Sequence, residues 1–423
     1  MPNSTVLIIG GGAAGLTAAI AAAREGASVT VLEAKPRVGS KILATGNGRC
    51  NLSNKKITSS AYNDAGFVSP VLSKYTSENI VSFFEGLGLV TYSDDEGRIY
   101  PISHNASSVL DVLRLECTRL GVKIECDFKV EKLSGEPSRE SFIAFSDTGK
   151  SAVGDAVVVT TGGGTSLLAD FGHKVEKFEP VLVPIRTDTE PIRGLSGVRV
   201  RCAASIIDKE ASQNDVARAE ASTQNDFTGA NVVATERGEI LFRDYGVSGI
   251  MIFDLSRFLG KGQTLSIDFL PDMSMEELIQ KLSARRNAFS ARTAETFLTG
   301  MFHARVAGAL LRAARINPKT PAREISCEQL ALTIKNFTLA ITGAGDPKQA
   351  QVTRGGASTQ EFNPETLESM RKTGVFAAGE ALDVDGRCGG YNLHWAWSSG
   401  LEAGESAAHF ALAQSASAEV IHE

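Results

Sequence analysis

The sequence predicts an α/β protein in which a nucleotide-binding fold, made from both ends of the chain, carries an inserted middle. Three observations predict it. A strand, a glycine turn, a helix and a second strand open the chain; a short strand meets another glycine turn near its end; the stretch between them changes character. Thr5 to Gly10 (TVLIIG) is a short apolar run suited to a parallel strand buried on both faces. Ala13 to Glu25 follows as an alanine-rich helix and Ser28 to Ala34 (SVTVLEA) as a second strand, which completes a right-handed βαβ unit. Helices are expected over Ser77 to Leu87 and Ala106 to Leu120, with a hairpin around Asp94 to Gly97 between them. Val122 to Leu133, Phe142 to Asp147 and Ala156 to Thr161 read as strands, the last running into Gly162-Gly163-Gly164.

From about Val183 alternation takes over. Gly197 to Ile207, Gly229 to Thr235 and Gln263 to Phe269 read as strands of a β-rich insert. Ser274 to Ala314 reads as helical, with a capping-box pattern of Ser274 and Glu277 at its start. Phe337 to Ile341 and Gln351 to Arg354 return to strand, Gly374 to Gly379 (GVFAAG) is the late strand and turn, and a helix is expected from Leu393 to Ala413. The expected domains are a discontinuous nucleotide-binding domain (1–182 and 345–423), a β-rich insert (183–273) and a helical part of that insert (274–344).

Composition narrows the function classes. The chain has 423 residues, 43% hydrophobic and 22% charged, which is globular and not disordered. Glycine stands out at 41 residues, so many positions turn tightly or let backbone approach something closely. A net charge of −6 gives no global basic footprint for nucleic acid. The six cysteines (Cys50, Cys117, Cys126, Cys202, Cys327 and Cys388) form no CxxC pair and have no metal-ligand spacing, so no metal is expected. Val6 to Ala23 is an uncharged run, but Gly10, Gly11 and Gly12 interrupt it and no cation precedes it; a soluble, cytoplasmic protein is expected.

Gly10-x-Gly12-x-x-Gly15 sits where a dinucleotide fingerprint must sit. Gly10 lets the chain turn, Gly12 lets backbone approach a pyrophosphate at the positive helix end, and Gly15 lets helix pack on strand. Glu33, 23 residues after Gly10, closes the second strand where an acid can accept hydrogen bonds from a ribose. NAD and FAD share this half. The C-terminal segment separates them: Gly379, Glu380, Gly386, Gly389 and Gly390 precede a helix whose start near Asn392 offers N–H groups to a second anionic group. Reduced flavin carries negative charge at N1 and C2=O, and a helix end favours that form by about 0.3–1 kcal/mol.

GGGAAGLTAA, RVGSKILATGNGRCN, VVVTTGGG and VFAAGEALDVDGRCGGYNLHWAWSSG together resemble the bacterial flavoprotein family that includes aminoacetone oxidase, a bile-acid dehydroxylation flavoprotein and a ribosomal-RNA dihydrouridine synthase. The resemblance spans nearly the whole chain, and GNGRCN and GGYNLHWAWSSG are its specific motifs. It implies a two-dinucleotide-type, Rossmann-like FAD fold with β-barrel-like and helical inserted subdomains. It further implies that Gly10, Gly12, Ala13, Ala14 and Gly15 hold the pyrophosphate, and Glu33 with Ala34 the ribose. Lys41, Gly46, Gly48, Arg49 and Cys50 pass beside the cofactor, with Thr161 and Gly162, and Val130 contacts the adenine side. Gly379, Glu380, Asn392 and Leu393 reach the ribityl chain and flavin. The chain departs from the family at Asn47, where a glycine is usual, in a shortened GTSLLADFGH loop, and at Arg387-Cys388.

The remaining chemistry has two readings at each residue. Cys50, beside Arg49, is a general acid with a lowered thiol pKa or a small residue packed under the isoalloxazine. Cys388 divides in the same way. Tyr391 and His394 line the substrate side or are simply packed, while Trp395 and Trp397 bury the helix. Residues 281–319 hold eight cations against Glu295 alone; this is a solvated basic face, or a surface for RNA. The reading adopted is an FAD-dependent oxidoreductase passing hydride through flavin N5, reducing a carbon–carbon double bond of a small molecule held between the FAD domain and the insert. Amine oxidation and reduction of 23S rRNA uridine are the alternatives, with a non-catalytic flavin- and RNA-binding protein, or a nicotinamide dehydrogenase, as rivals of other classes. A single GxGxxG leaves no dedicated NADPH domain, so either NADH or NADPH visits the flavin face as a transient reductant or the enzyme reoxidises with oxygen.

Overall fold

The computed structural model describes residues 4–136, 141–163, 167–208 and 231–422. The chain divides into two compact units, Met1–Pro180 with Gln351–Glu423, and Val181–Ala350.

The first unit is built on a five-stranded parallel sheet in the order Val375–Ala377, Ala156–Val159, Thr5–Ile9, Ser28–Leu32, Lys123–Glu125. Its central strands are apolar at successive positions because both faces are covered: Val6, Ile8, Val157 and Val158 are fully buried. Helix Ala13–Arg24 leaves the first strand directly. The long C-terminal helix Tyr391–His422 packs along it at glycine contacts: a Cβ on Gly400 would lie 2.4 Å from the Ala14 carbonyl oxygen, and one on Gly404 2.2 Å from that of Ala18. Small residues thus bring the two ends of the chain backbone to backbone. The uncharged run Val6 to Ala23 is accordingly a strand, a turn and a helix; among the described residues no helix is long and apolar enough to cross a membrane.

The stretch Val122 to Leu133 departs from the single strand expected. It is two strands in two sheets: Lys123–Glu125 edges the parallel sheet, and Val130–Glu136 starts an antiparallel sheet with Ser141–Ser146 and Ser151–Gly154. Asp127 turns the chain between them at φ 52°, a conformation that Asp tolerates better than most side chains.

In the second unit six strands close into a barrel, in the order Ile185–Thr187, Gly246–Ser248, Asn231–Arg243, Arg199–Asp208, Thr264–Asp268, Phe337–Ala344. Ile206, Phe242, Val247, Leu265 and Leu339 are fully buried. The β-barrel-like insert is therefore a closed barrel. The expected strand Gly229 to Thr235 is part of a longer one, Asn231–Arg243, with Gly229 and Ala230 outside the described residues. Ser274 to Ala314 is not one helical run. It breaks into Met275–Ala288, Ala294–Phe297 and Ala304–Ala313, and the Ser274–Glu277 capping box opens the first of them.

Candidate functional site

The Gly10–Gly15 turn is shaped by contacts that admit no side chain at two of the three glycines of the Gly10-x-Gly12-x-x-Gly15 pattern. Gly10 has φ 107°, and a Cβ there would lie 2.8 Å from the Thr160 carbonyl oxygen; a Cβ on Gly15 would lie 1.8 Å from that of Gly10. Gly12 differs, because its Cβ would meet nothing within 4 Å. It is the N-cap of helix Ala13–Arg24, and no side chain caps the helix. The first-turn N–H groups of Ala13 and Ala14 lie at this positive helix end beside the open space at Gly12, a cradle that fits a pyrophosphate.

Glu33 stands beside this cradle. Its Oε2 accepts from Gly11 N at 2.7 Å and its Oε1 from Lys35 N at 2.8 Å, which orients the carboxylate and leaves each oxygen lone-pair capacity for ribose hydroxyls. Phe128 N donates to the Glu33 carbonyl and Asp127 N to that of Lys35, which brings Val130 to the same side; Ala34 is exposed there. Thr160 ties the neighbouring strand to the turn by donating to the carbonyls of Ile9 and Gly10, both at 2.9 Å, and Thr161 and Gly162 (φ 71°) follow it at the sheet's C-terminal edge.

The two chain ends meet at this edge. A Cβ on Gly379 would touch the Ala14 Cβ at 3.1 Å, and Lys41 Nζ pairs with Glu380 Oε2 at 2.6 Å across 339 residues. Ser399 Oγ accepts from Gly379 N at 2.9 Å. Gly389 and Gly390 have φ 110° and 103°, and a Cβ on Gly390 would collide with the Ser53 carbonyl oxygen at 2.4 Å. The C-terminal helix starts immediately after them, next to the loop that follows Cys50.

The loop that ends at Cys50 is left-handed at Gly46 (φ 56°), Asn47 (φ 55°), Gly48 (φ 81°) and Cys50 (φ 58°). Asn47 carries one of the few side chains that tolerate such a φ. Arg49 lies over the Tyr100 ring at 5.1 Å. The structure corrects the activated-thiol reading of Cys50. The side chain is fully buried, and burial pushes its thiol up to about 12, so Arg49 does not turn it into an accessible acid. Cys388 is partly exposed, with its Sγ 3.4 Å from Gln351 Oε1.

His394 does not line a substrate surface. It is fully buried; Nδ1 lies 2.8 Å from Ser53 Oγ and Nε2 3.0 Å from the Tyr75 carbonyl oxygen, and burial lowers its pKa to about 4. Tyr391 is partly exposed and donates to the Lys56 carbonyl at 3.2 Å. The Asn392 side chain is occupied locally: Oδ1 accepts from Gly386 N at 2.7 Å, and Nδ2 donates to the carbonyls of Gly386 and Arg387. What it can offer a cofactor is its backbone N–H, with that of Leu393 in the same first turn.

Sequence reasoning passed over Thr160, Ser399 and the pair of Arg354 with fully buried Asp385 (Nε to Oδ2 3.0 Å). The first two lie inside the quoted motifs; the pair joins Val352–Ala357 to the loop before Gly386, which no local pattern could show. In the second unit four of the eight cations in the basic run bond to backbone carbonyls. Arg285 donates to the carbonyls of Phe297 and Thr299, Arg286 to Ile325, Arg305 to Gly194 and Ser196, and Arg312 to Arg193. Among the described residues, Lys281, Arg315 and Lys319 have no ion pair or side-chain hydrogen bond.

Residues 4–406 match a family model described as HI0933-like protein Rossmann domain. The chain is 36% identical over 425 residues to a 3-dehydro-bile acid delta(4,6)-reductase of Clostridium scindens, covering 95% of this chain and 98% of the relative. It is 27% identical to a ribosomal RNA dihydrouridine synthase of Escherichia coli (94% and 96% covered) and 25% identical to one of Haemophilus influenzae (93% and 96%).

Proposed function

This chain belongs to the HI0933-like Rossmann-domain family of FAD-dependent oxidoreductases, and from that premise we propose that it reduces a carbon–carbon double bond conjugated to a carbonyl in a small molecule. The observation that supports the site is the meeting of the two chain ends, with Gly379 against Ala14 and Glu380 paired with Lys41. Bound FAD supplies hydride transfer at N5. The chain does the rest. The N–H groups of Ala13 and Ala14 hold the pyrophosphate, with Gly12 giving it room, and Glu33 accepts from the ribose. Lys41 balances Glu380 at the ribityl end. The N–H groups of Asn392 and Leu393 would hold the flavin end. Cys388, the partly exposed thiol of the two cysteines considered, delivers the proton that accompanies hydride.

The test is anaerobic. Protein reduced by NADH or NADPH is mixed with a 3-oxo steroid carrying a conjugated double bond. Recolouring with formation of saturated product, slowed in Cys388→Ser while bleaching by the donor is unchanged, supports the reading. Recolouring only in air, with peroxide formed and aminoacetone consumed, replaces it with amine oxidation.

The two rRNA-modifying relatives favour a second reading, uridine reduction in ribosomal RNA. Its surface would be Lys281, Arg315 and Lys319. Changing all three to Gln should lower RNA retention and flatten its salt dependence; unchanged retention removes it.

A further inference from the structure

We infer that His394 is a positioning residue for the flavin end of the site, clamping the first turn of the C-terminal helix to two distant segments. The inference rests on the FAD reading above. The helix begins directly after Gly389 and Gly390, both at left-handed φ, which form a joint with no side chain to stiffen it. Something else must fix the direction of the Asn392 and Leu393 N–H groups. His394 is in that same turn and its N donates to the Gly390 carbonyl at 3.0 Å. Its ring reaches Ser53, 341 residues away, and Tyr75, 319 residues away.

The partners settle the tautomer. A carbonyl only accepts, so Nε2 carries the hydrogen and donates to Tyr75; Nδ1 is then an acceptor for the Ser53 hydroxyl. Both polar atoms are satisfied in a site closed to water, and Ser53 is itself fully buried, 3.5 Å from Ser77 Oγ. The flanking Trp395 and Trp397 donate to the carbonyls of Gly379 and Leu52, so the clamp joins the Gly379 turn and the segment after Cys50 to one helix turn.

The experiment compares His394→Gln, which keeps a donor for Tyr75, with Ser53→Ala, which removes the hydroxyl but not the ring. A control is His173→Gln. That histidine is also buried and doubly bonded, to Glu361 (2.9 Å) and Ser369 (2.7 Å), but Ser369 bonds the first residue of strand Val375–Ala377, the end away from Gly379. For each folded variant, the FAD dissociation constant and the flavin midpoint potential are measured with the melting temperature. Both clamp variants should weaken FAD about tenfold and shift the potential negative, because a misaimed helix end no longer favours reduced flavin, while His173→Gln loses only thermal stability. If the clamp variants melt earlier but keep wild-type affinity and potential, His394 is merely structural and the inference is overturned. A wild-type protein that binds no FAD refutes the FAD reading, a result distinct from this one.

Discussion

Two glycines three residues apart should respond to the same substitution in opposite ways. In Gly15→Ala the new methyl lies 1.8 Å from the Gly10 carbonyl oxygen and 2.7 Å from Thr160 Oγ1, where real contacts stay beyond 3.0 Å. The helix must move off the strand by more than about an ångström, against backbone rather than a flexible side chain, at a cost of roughly 3 kcal/mol. For a unit of this size that is a fall of about 6–12 °C in melting temperature. In Gly12→Ala the methyl meets nothing within 4 Å, and φ −85° with ψ −161° is open to any L-residue. The apoprotein should therefore change by less than about 1 kcal/mol. The methyl enters the space assigned to the pyrophosphate, so FAD affinity should fall at least ~100-fold, about 2.7 kcal/mol. Apoprotein melting and titration of FAD fluorescence measure the two effects separately. A Gly12→Ala protein that binds FAD as tightly as wild type refutes the placement of the pyrophosphate; one that unfolds refutes the reasoning about space.

Other expectations follow from single contacts. Lys41→Met should weaken FAD several-fold in a salt-dependent titration while leaving apoprotein stability within about 1 kcal/mol, because the lysine of the Lys41–Glu380 pair is half-exposed. His394 stays neutral in the folded protein down to about 4, although nearby Glu78 favours its charged form, whereas an unfolded histidine protonates near 6.5. Its contribution is thus present above pH 6.5 and lost as pH falls towards 4. Up to about 3 kcal/mol should disappear between urea denaturations at pH 7 and pH 4, and less in His394→Gln. A thiol reagent at pH 8 should label Cys388 and spare Cys50 in the native protein, as mass mapping would read. Arg305→Glu and Arg312→Glu should each lower the melting temperature, since both arginines satisfy carbonyls of the 193–196 turn.

Much of the fold was legible because it is local. The opening strand, turn and helix lie within one residue of expectation, and the late GVFAAG strand sits on the sheet edge beside Ala156–Val159. Barrel closure rests on pairing Ile185–Thr187 with Phe337–Ala344 across some 150 residues, and alternation announces strands but not their partners. The split at Asp127 was missed because apolar residues continue through it and only φ changes. At the site, Gly10, Gly15 and Gly390 were readable since each removes a specific collision, and Gly12 because it leaves space. Histidine and cysteine were not: His394 and Cys50 sit in motifs that advertise chemistry, and only the packing around them shows that both side chains are fully buried. In the basic run, four of the eight charges (Arg285, Arg286, Arg305 and Arg312) meet carbonyls that no sequence pattern marks.

The most direct test is the ratio of FAD to protein after gentle purification, read from the visible spectrum and followed through anaerobic reduction. One equivalent of tightly held FAD per chain, bleached by reductant and restored by an unsaturated ketone, is the predicted result. A colourless protein that takes up no added FAD would contradict the account at its base.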